Sequence, residues 1–192
     1  MRFESTDLTG VQIVESMPVS DERGHFARTF CEREFAEVGL EFRFVQHSRS
    51  RSLRKGTLRG MHFQEAPQRE TKLVSCIVGA IHDVVVDLRP DSPTFAKWTS
   101  VELTEDNQKQ LYIPEGFAHG FLTLRDDVVV SYLISAFHSP TLSRGVRYDD
   151  PMIGIEWPAA PTVISERDLS WPRIGSGEAV RLPTRAPAVH VA

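Results

Sequence analysis

The segment GTLRGMHFQ (56–64) and its later counterpart PEGFAHGF (114–121) decide how this chain is read. Each holds one histidine among glycines, His62 and His119, and a run of β-type sequence separates them. Working outward, residues 11–14, 26–30, 73–78, 81–88, 98–103, 110–113, 121–124 and 128–135 read as strands, being rich in β-branched and aromatic residues and bounded by turn formers. Gly79-Ala80 sits between two of them, and Arg89-Pro90-Asp91-Ser92-Pro93 follows the second. That spacing predicts a sandwich or barrel rather than βαβ units. Helix is scarce. Residues 31–38 carry Phe35 and Val38 three apart and stop at Gly39, a residue suited to a left-handed C-cap. A further turn is expected over 165–169, where Ser165 can cap the start.

The spacing of Gly56, His62, Lys72, Gly79 and the PEGFAH segment resembles the two signature motifs of the cupin superfamily. The resemblance implies an all-β fold, an antiparallel barrel or jelly roll with a few short helices. Metal-binding cupins take two histidines two apart and a glutamate from the first motif, and another histidine from the second. Here those places read His62, Gln64, Lys72 and His119. An ammonium group opposes a metal cation and a carboxamide is a poor substitute for imidazole, so the expectation is a site without metal or other cofactor. A lone histidine is more often an ordinary core or surface residue. Two in matching motifs reverse that preference.

With 192 residues, the chain suits one domain over 1–192, with 175–192 an irregular, proline-rich tail. Hydrophobic content of 41% and charged content of 25% are ordinary globular values. The net charge of −4 gives no general pull toward nucleic acid or anionic membrane, so any anion binding must be local. Cys31 and Cys76 match no disulfide framework or zinc spacing. The start MRFESTDLTG lacks an apolar secretory region, and no stretch reaches the roughly 18 apolar residues of a membrane span. The expectation is a cytoplasmic protein.

Polar residues inside such strands demand an account. Lys72 opens one strand, and Asp83, Val85 and Asp87 share a face of another. Each alone reads most simply as solvent-facing, with Lys72 guarding a sheet edge. If they instead point inward, they must be paired, since unpaired burial costs several kcal/mol. Between 49 and 59 stand Arg49, Arg51, Arg54, Lys55 and Arg59 with no acidic residue. No aromatic platform interleaves them, so phosphates of a small molecule fit better than RNA, and a solvated charged loop is the plain alternative. Arg59 and His62 are three apart, which on a regular strand sends them to opposite faces. Both can serve one pocket only if Gly60 distorts the chain between them.

Nearly the whole chain, from about Gly10 to Ile174, resembles the dTDP-4-dehydrorhamnose 3,5-epimerase family. The resemblance rests on DERGHF (21–26), FVQ (44–46), GTLRGMHFQ (56–64), KLVSCIVGAIHDVVVDLR (72–89), DSPTFAKW (91–98) and LYIPEGFAHGF (111–121). It continues through Tyr132, SPTLSRGVRYDDP (139–151), IEWP (155–158) and SERD (165–168). It implies an isomerase that epimerises a nucleotide-linked 4-keto-6-deoxy sugar at C3, C5 or both, in rhamnose-type deoxysugar biosynthesis. It further implies His62 as base oriented by Asp168, Lys72 as stabiliser of the enolate and Tyr132 as acid. His119 would contact the sugar and Arg59 the diphosphate. Arg23, Phe26 and Gln46 match nucleotide-binding positions, with His138 beside the nucleobase and Arg167 a weaker phosphate ligand. Members of the family look like homodimers whose N-terminal strands reach into the neighbour, so Arg23 and Phe26 are expected to serve the partner subunit. Arg28, Ser48 and His138 depart from the commoner pattern, and Leu53 looks inserted; these bear on nucleotide and sugar preference rather than on reaction class. Competing readings are a non-catalytic sugar-nucleotide-binding cupin, a single-carbon epimerase with another nucleotide preference, and a metal-dependent cupin oxygenase. The last needs ligands that Gln64 and Lys72 do not provide.

Overall fold

A computed structural model describes residues 1–175. The N-terminal part holds β1 (Arg2–Ser5), β2 (Gln12–Glu15), β3 (Val19–Asp21), β4 (Gly24–Phe26) and the helix α1 (Glu32–Glu37). Then come β5 (Gln46–Ser52), β6 (Leu58–Gln64), β7 (Lys72–Val78), β8 (Ala80–Asp87), β9 (Trp98–Thr104) and β10 (Lys109–Ile113). The chain continues through β11 (Phe117–Thr123), β12 (Val128–Ile134), β13 (Ser143–Gly145) and the one-turn helix α2 (Glu166–Leu169).

Two antiparallel sheets form a cupin-type jelly roll. One runs β1-β2-β10-β7-β12-β5 and the other β13-β6-β11-β8-β9, while β3 and β4 make a separate hairpin. Between the sheets lies an apolar cluster that includes Val74, Cys76, Val85, Phe117, Phe121, Val128 and Val130. The same inward rows change character toward one end. On β7 the row Cys76, Val74 ends in Lys72, and on β12 the row Val128, Val130 reaches Tyr132. Because Ile134 is paired with Lys72 and Tyr132 with Val74, both polar groups emerge at the same end of the sandwich.

Both sheets are also covered outside. Val84, Val86, Met61, Phe63 and Val146 pack under Trp98, Ile155 and Trp157, and Leu73, Tyr112 and Val14 pack under Phe35 of α1. Burial on both faces explains why β8 reads as a nearly continuous apolar run instead of an alternating one. Helix α1 follows the sequence expectation closely. Gly39 at φ +72° donates its N–H to Ala36 O at 3.0 Å, and Phe35 is fully buried, with ring contacts to Phe3 and Phe30. Val38, expected to share that buried face, is half exposed at the C-cap. At α2, Ser165 Oγ accepts from Asp168 N at 3.1 Å, the anticipated cap.

Other expectations are corrected. The strand expected over 26–30 ends at Phe26, and the one expected to begin at 121 begins at Phe117. Five strands carry no clear apolar signal: β1, β3, β5, β6 and β13. The basic run is not a loop throughout, since it forms β5 as far as Ser52, the outer strand of its sheet. Lys72 is not at an edge, because β7 lies between β10 and β12. Asp83 and Asp87 do not face solvent: both are fully buried and paired. Except for Gly175, the expected C-terminal tail falls outside the described residues.

Candidate active site

At the polar end of the sandwich is a cavity of about 650 Å³ whose lining draws on both sheets and on α2. The chain distortion expected at Gly60 is what lets β6 serve it twice. Opposite β6, His119 is paired with His62 and Phe121 with Arg59, so Gly60 and Met61 together face the single residue Gly120, a β-bulge. Gly60 has φ +149°, and a Cβ there would come within 2.6 Å of Gly120 Cα. Two glycines are therefore required for the close approach that brings Arg59 and His62 to one cavity.

His62 Nε2 lies 2.7 Å from Asp168 Oδ1. Asp168 Oδ2 accepts from Gly60 N at 3.2 Å, and Oδ1 also accepts from Trp171 Nε1 at 3.3 Å. Burial by itself would raise this carboxyl, but the hydrogen bonds and charge of His62 and the Gly60 and Trp171 donors outweigh it, holding Asp168 below the usual carboxylate range. The side chain of Asp168 is 6% exposed against 39% for His62, so the carboxylate is the buried anchor and the imidazole the end open to the cavity.

On the other sheet, Tyr132 OH is 3.0 Å from Ser50 Oγ, and burial pushes the phenol well above its ordinary value. It stays protonated. Its ring centroid lies 6.3 Å from that of His119, whose Nε2 is 2.7 Å from the buried Asp83 Oδ1. Lys72 Nζ sits 2.8 Å from Glu70 Oε1. Arg59 is held by Ser52 Oγ at 3.0 Å and by Arg51 O at 3.1 Å, which fixes the guanidinium on the cavity wall. Arg167 donates to Ser143 Oγ at 3.0 Å and lies over the Trp171 ring. Gln46 Oε1 accepts from His138 N at 2.6 Å at the rim.

The cavity thus gathers Gln46, Arg59, His62, Lys72, His119, Tyr132, His138, Arg167 and Asp168. Arg23 and Phe26 are not brought to it. They lie on the β3–β4 hairpin, Arg23 paired with Asp21 at 3.1 Å through Nε and Phe26 76% exposed. Gln64, at a cupin ligand position, spends its amide on the chain: Nε2 donates to Gln68 O at 2.9 Å, and Oε1 accepts from Ser139 N at 2.7 Å. It therefore steadies the loop carrying His138. Among the described residues, no group of three His, Cys, Asp or Glu side chains is arranged to hold a metal ion.

Sequence reasoning missed Ser50, Glu70 and Trp171. The first was within reach, because Gln46, Ser48, Ser50 and Ser52 form a period-two row that the charges between them obscure. The partners chosen by Glu70 and Trp171 depend on side-chain packing and leave no local sequence signal.

An antiparallel jelly roll whose end cavity sets an imidazole–carboxylate pair, His62 on one sheet and Asp168 on α2, against a buried phenol on the other sheet defines a cupin-type protein with side chains suited to proton transfer. Residues 5–176 match the family model described as dTDP-4-dehydrorhamnose 3,5-epimerase, and the chain belongs to that family. It is 49% identical to dTDP-4-dehydrorhamnose 3,5-epimerase from Methanothermobacter thermautotrophicus over 88% of this chain and 92% of that protein. Among solved structures it is similar to dTDP-6-deoxy-D-glucose-3,5-epimerase from Legionella pneumophila in complex with dTDP-4-keto-L-rhamnose. That match has a TM-score of 0.90 at 36% identity and covers 97% of this chain and 99% of the other. A 3′-monoepimerase from Streptomyces bikiniensis in complex with dTDP-quinovose also matches, with a TM-score of 0.87 at 34% identity over 93% and 91% of the two chains.

Proposed function

We propose that the protein epimerises a dTDP-linked 4-keto-6-deoxy sugar as a single-domain chain with no cofactor. The observation that carries the reading is the pair of His62 on one sheet and Asp168 on α2 with the buried Tyr132 phenol on the other sheet, all lining one cavity. A hydrogen on carbon next to a ketone is removable because its electron pair passes to the ketone oxygen. With Nε2–H donating to Asp168, the lone pair of neutral His62 is on Nδ1, and that atom takes the proton from C3 or C5. Asp168 stabilises the resulting imidazolium. Lys72 stands ready for the enolate oxygen, a fixed donor that needs no rearrangement when charge develops, while His119, its Nε2 held by Asp83, contacts the sugar. Tyr132 then gives its proton to the opposite face of the carbanion, which inverts the centre, and the cycle closes when the imidazolium of His62 releases its proton to solvent and the phenolate takes one up.

Arg59 and Arg167 supply positive charge for the diphosphate, while Gln46 and His138 border the nucleobase. The exposed hairpin with Arg23 and Phe26 completes the site of a second copy in a homodimer, and Met17 at 63% and Val19 at 74% exposure add apolar surface to that hairpin. No described helix is long and apolar enough to cross a membrane. The compartment expected for this reaction is the cytoplasm.

Relatives include both 3,5-epimerases and a 3′-monoepimerase, so the test must read each carbon separately. Incubation with dTDP-4-keto-6-deoxyglucose in deuterated water, followed by NMR, should place deuterium at C3, C5 or both with inversion. Absence of label at both carbons would reduce the protein to a nucleotide-sugar binder.

A further inference from the structure

Asp168 sits on a helix of a single turn, too short to hold a carboxylate in place by itself. What surrounds it is a wedge of one aromatic ring. Trp171 Nε1 donates to Asp168 Oδ1 at 3.3 Å, the same oxygen that lies 2.7 Å from His62 Nε2. The indole meets the His62 ring edge-on at 6.2 Å between centroids, and Arg167 lies over the indole at 5.1 Å. Its fourth contact is Gly145 of β13, where a Cβ would approach the indole Cε2 and Nε1 to 2.5 Å. Gly145 is the register partner of His62, so the ring is lodged between the base and the strand beside it.

We propose that Trp171 is a positioning residue of the dyad: its indole N–H shares Asp168 Oδ1 with His62 and thereby limits how basic the imidazole becomes. This rests on the reading of His62 as the base. A carboxylate oxygen that accepts two donors stabilises each less than it would stabilise one alone. Losing the indole N–H concentrates the charge of Asp168 on His62, favours the imidazolium and removes free base near neutrality. The same ring, through its face, steadies Arg167. One side chain therefore ties the proton-transfer pair to a wall of the cavity.

Trp171→Phe keeps an aromatic ring against Gly145 and Arg167 while deleting the donor. The ring titration of His62, identified by its loss in His62→Asn, is followed by NMR in the full-length protein without substrate. That measurement holds whether or not the protein epimerises a sugar, and a failure of the deuterium experiment leaves it intact. The expected result is a rise of the His62 midpoint by about half a pH unit, the size set by one modest hydrogen bond. If turnover is present, the acidic limb of kcat/KM should rise by the same amount. The remaining ionisable groups of the cavity, Arg49, Arg59, Glu70, Lys72, His119, Tyr132, His138 and Arg167, are unchanged by the substitution. Fluorotryptophan installed at position 171, with a more acidic N–H and nearly the same shape, should move the midpoint in the other direction; it also serves if Trp171→Phe does not fold. A midpoint that is the same in wild type and in whichever of these proteins folds overturns the proposal and leaves Trp171 as packing alone.

Discussion

His62 and Tyr132 are separated by their surroundings into different tasks. The imidazole is half open and paired with an ionised carboxylate, while the phenol is buried and kept neutral. His62→Asn should therefore abolish deuterium exchange at both carbons, losing about 100- to 10,000-fold in rate, since no first proton leaves. Tyr132→Phe should keep measurable exchange but lose net inversion, because the proton returns from the side it left. Normal inversion by Tyr132→Phe would mean that another group delivers the second proton. The arginines divide in a similar way. Arg59 is pinned to Ser52 and to the Arg51 carbonyl, whereas Arg51 itself pairs with Asp127 at 2.8 Å on the surface. Truncating Arg59 to alanine should weaken dTDP binding by about 2–5 kcal/mol in calorimetry, since a phosphate in the cavity is left without its partner. Arg51→Ala should cost far less, and equal small losses at both would point to a diffuse basic surface.

At the level of single elements, β8 shows how burial on both faces sets a pH limit. Asp83 turns inward to His119, and its neighbour His82 turns outward beneath Trp157, where its Nε2 is buried with no hydrogen-bond partner among the described residues. Burial lowers the His82 pKa, and the nearby Asp83 and Glu102 only partly oppose this. The folded protein thus takes up this proton less readily than the unfolded chain. As pH falls below the unfolded value of about 6.5, the unfolded state binds more protons and the fold loses stability until the folded pKa is passed. His82→Gln should have a melting temperature that varies less between about pH 7 and pH 5 than that of the wild type. An unchanged pH dependence would assign the loss to carboxylates instead. The elements also differ in how plainly the sequence announces them. Strands β7, β8, β9, β10 and β12 are legible because their apolar residues face a packed layer on at least one side. Helix α2 is legible from its serine cap alone. Strand β5 hides, since its inward row is Gln46, Ser48, Ser50 and Ser52 and its core is the cavity itself. The site shares this division: His62, Lys72, His119, Tyr132 and Asp168 could be named from motifs, but the pairings with Ser50, Glu70 and Trp171 arise from register and packing.

Across the whole molecule, the outlying position of Arg23 and Phe26 is the feature that asks for a second copy. A hairpin exposing Met17, Val19 and Phe26 resembles half of an interface more than a finished surface. The decisive test mixes two inactive proteins, Arg23→Ala and His62→Asn, under conditions that exchange subunits. If the hairpin serves its neighbour, each mixed dimer holds one site with both residues intact, and activity should recover to about a quarter of wild type. If each chain serves itself, the mixture stays inactive. Sedimentation of the wild type as a monomer would remove the arrangement altogether.

The two members of the dyad stand 106 residues apart, and the carboxylate belongs to the last described helix. During synthesis, both sheets can leave the ribosome before the base has an oriented partner. A chain that stopped just short of Ser165 would still carry Arg59, the phenol and the rim of the cavity, yet without Arg167, Asp168 and Trp171. Such a fragment would capture a nucleotide sugar and return it unaltered, acting as a sink for the very compound that the finished protein converts. Activity therefore certifies that translation passed α2, and premature termination yields an antagonist as well as an absence.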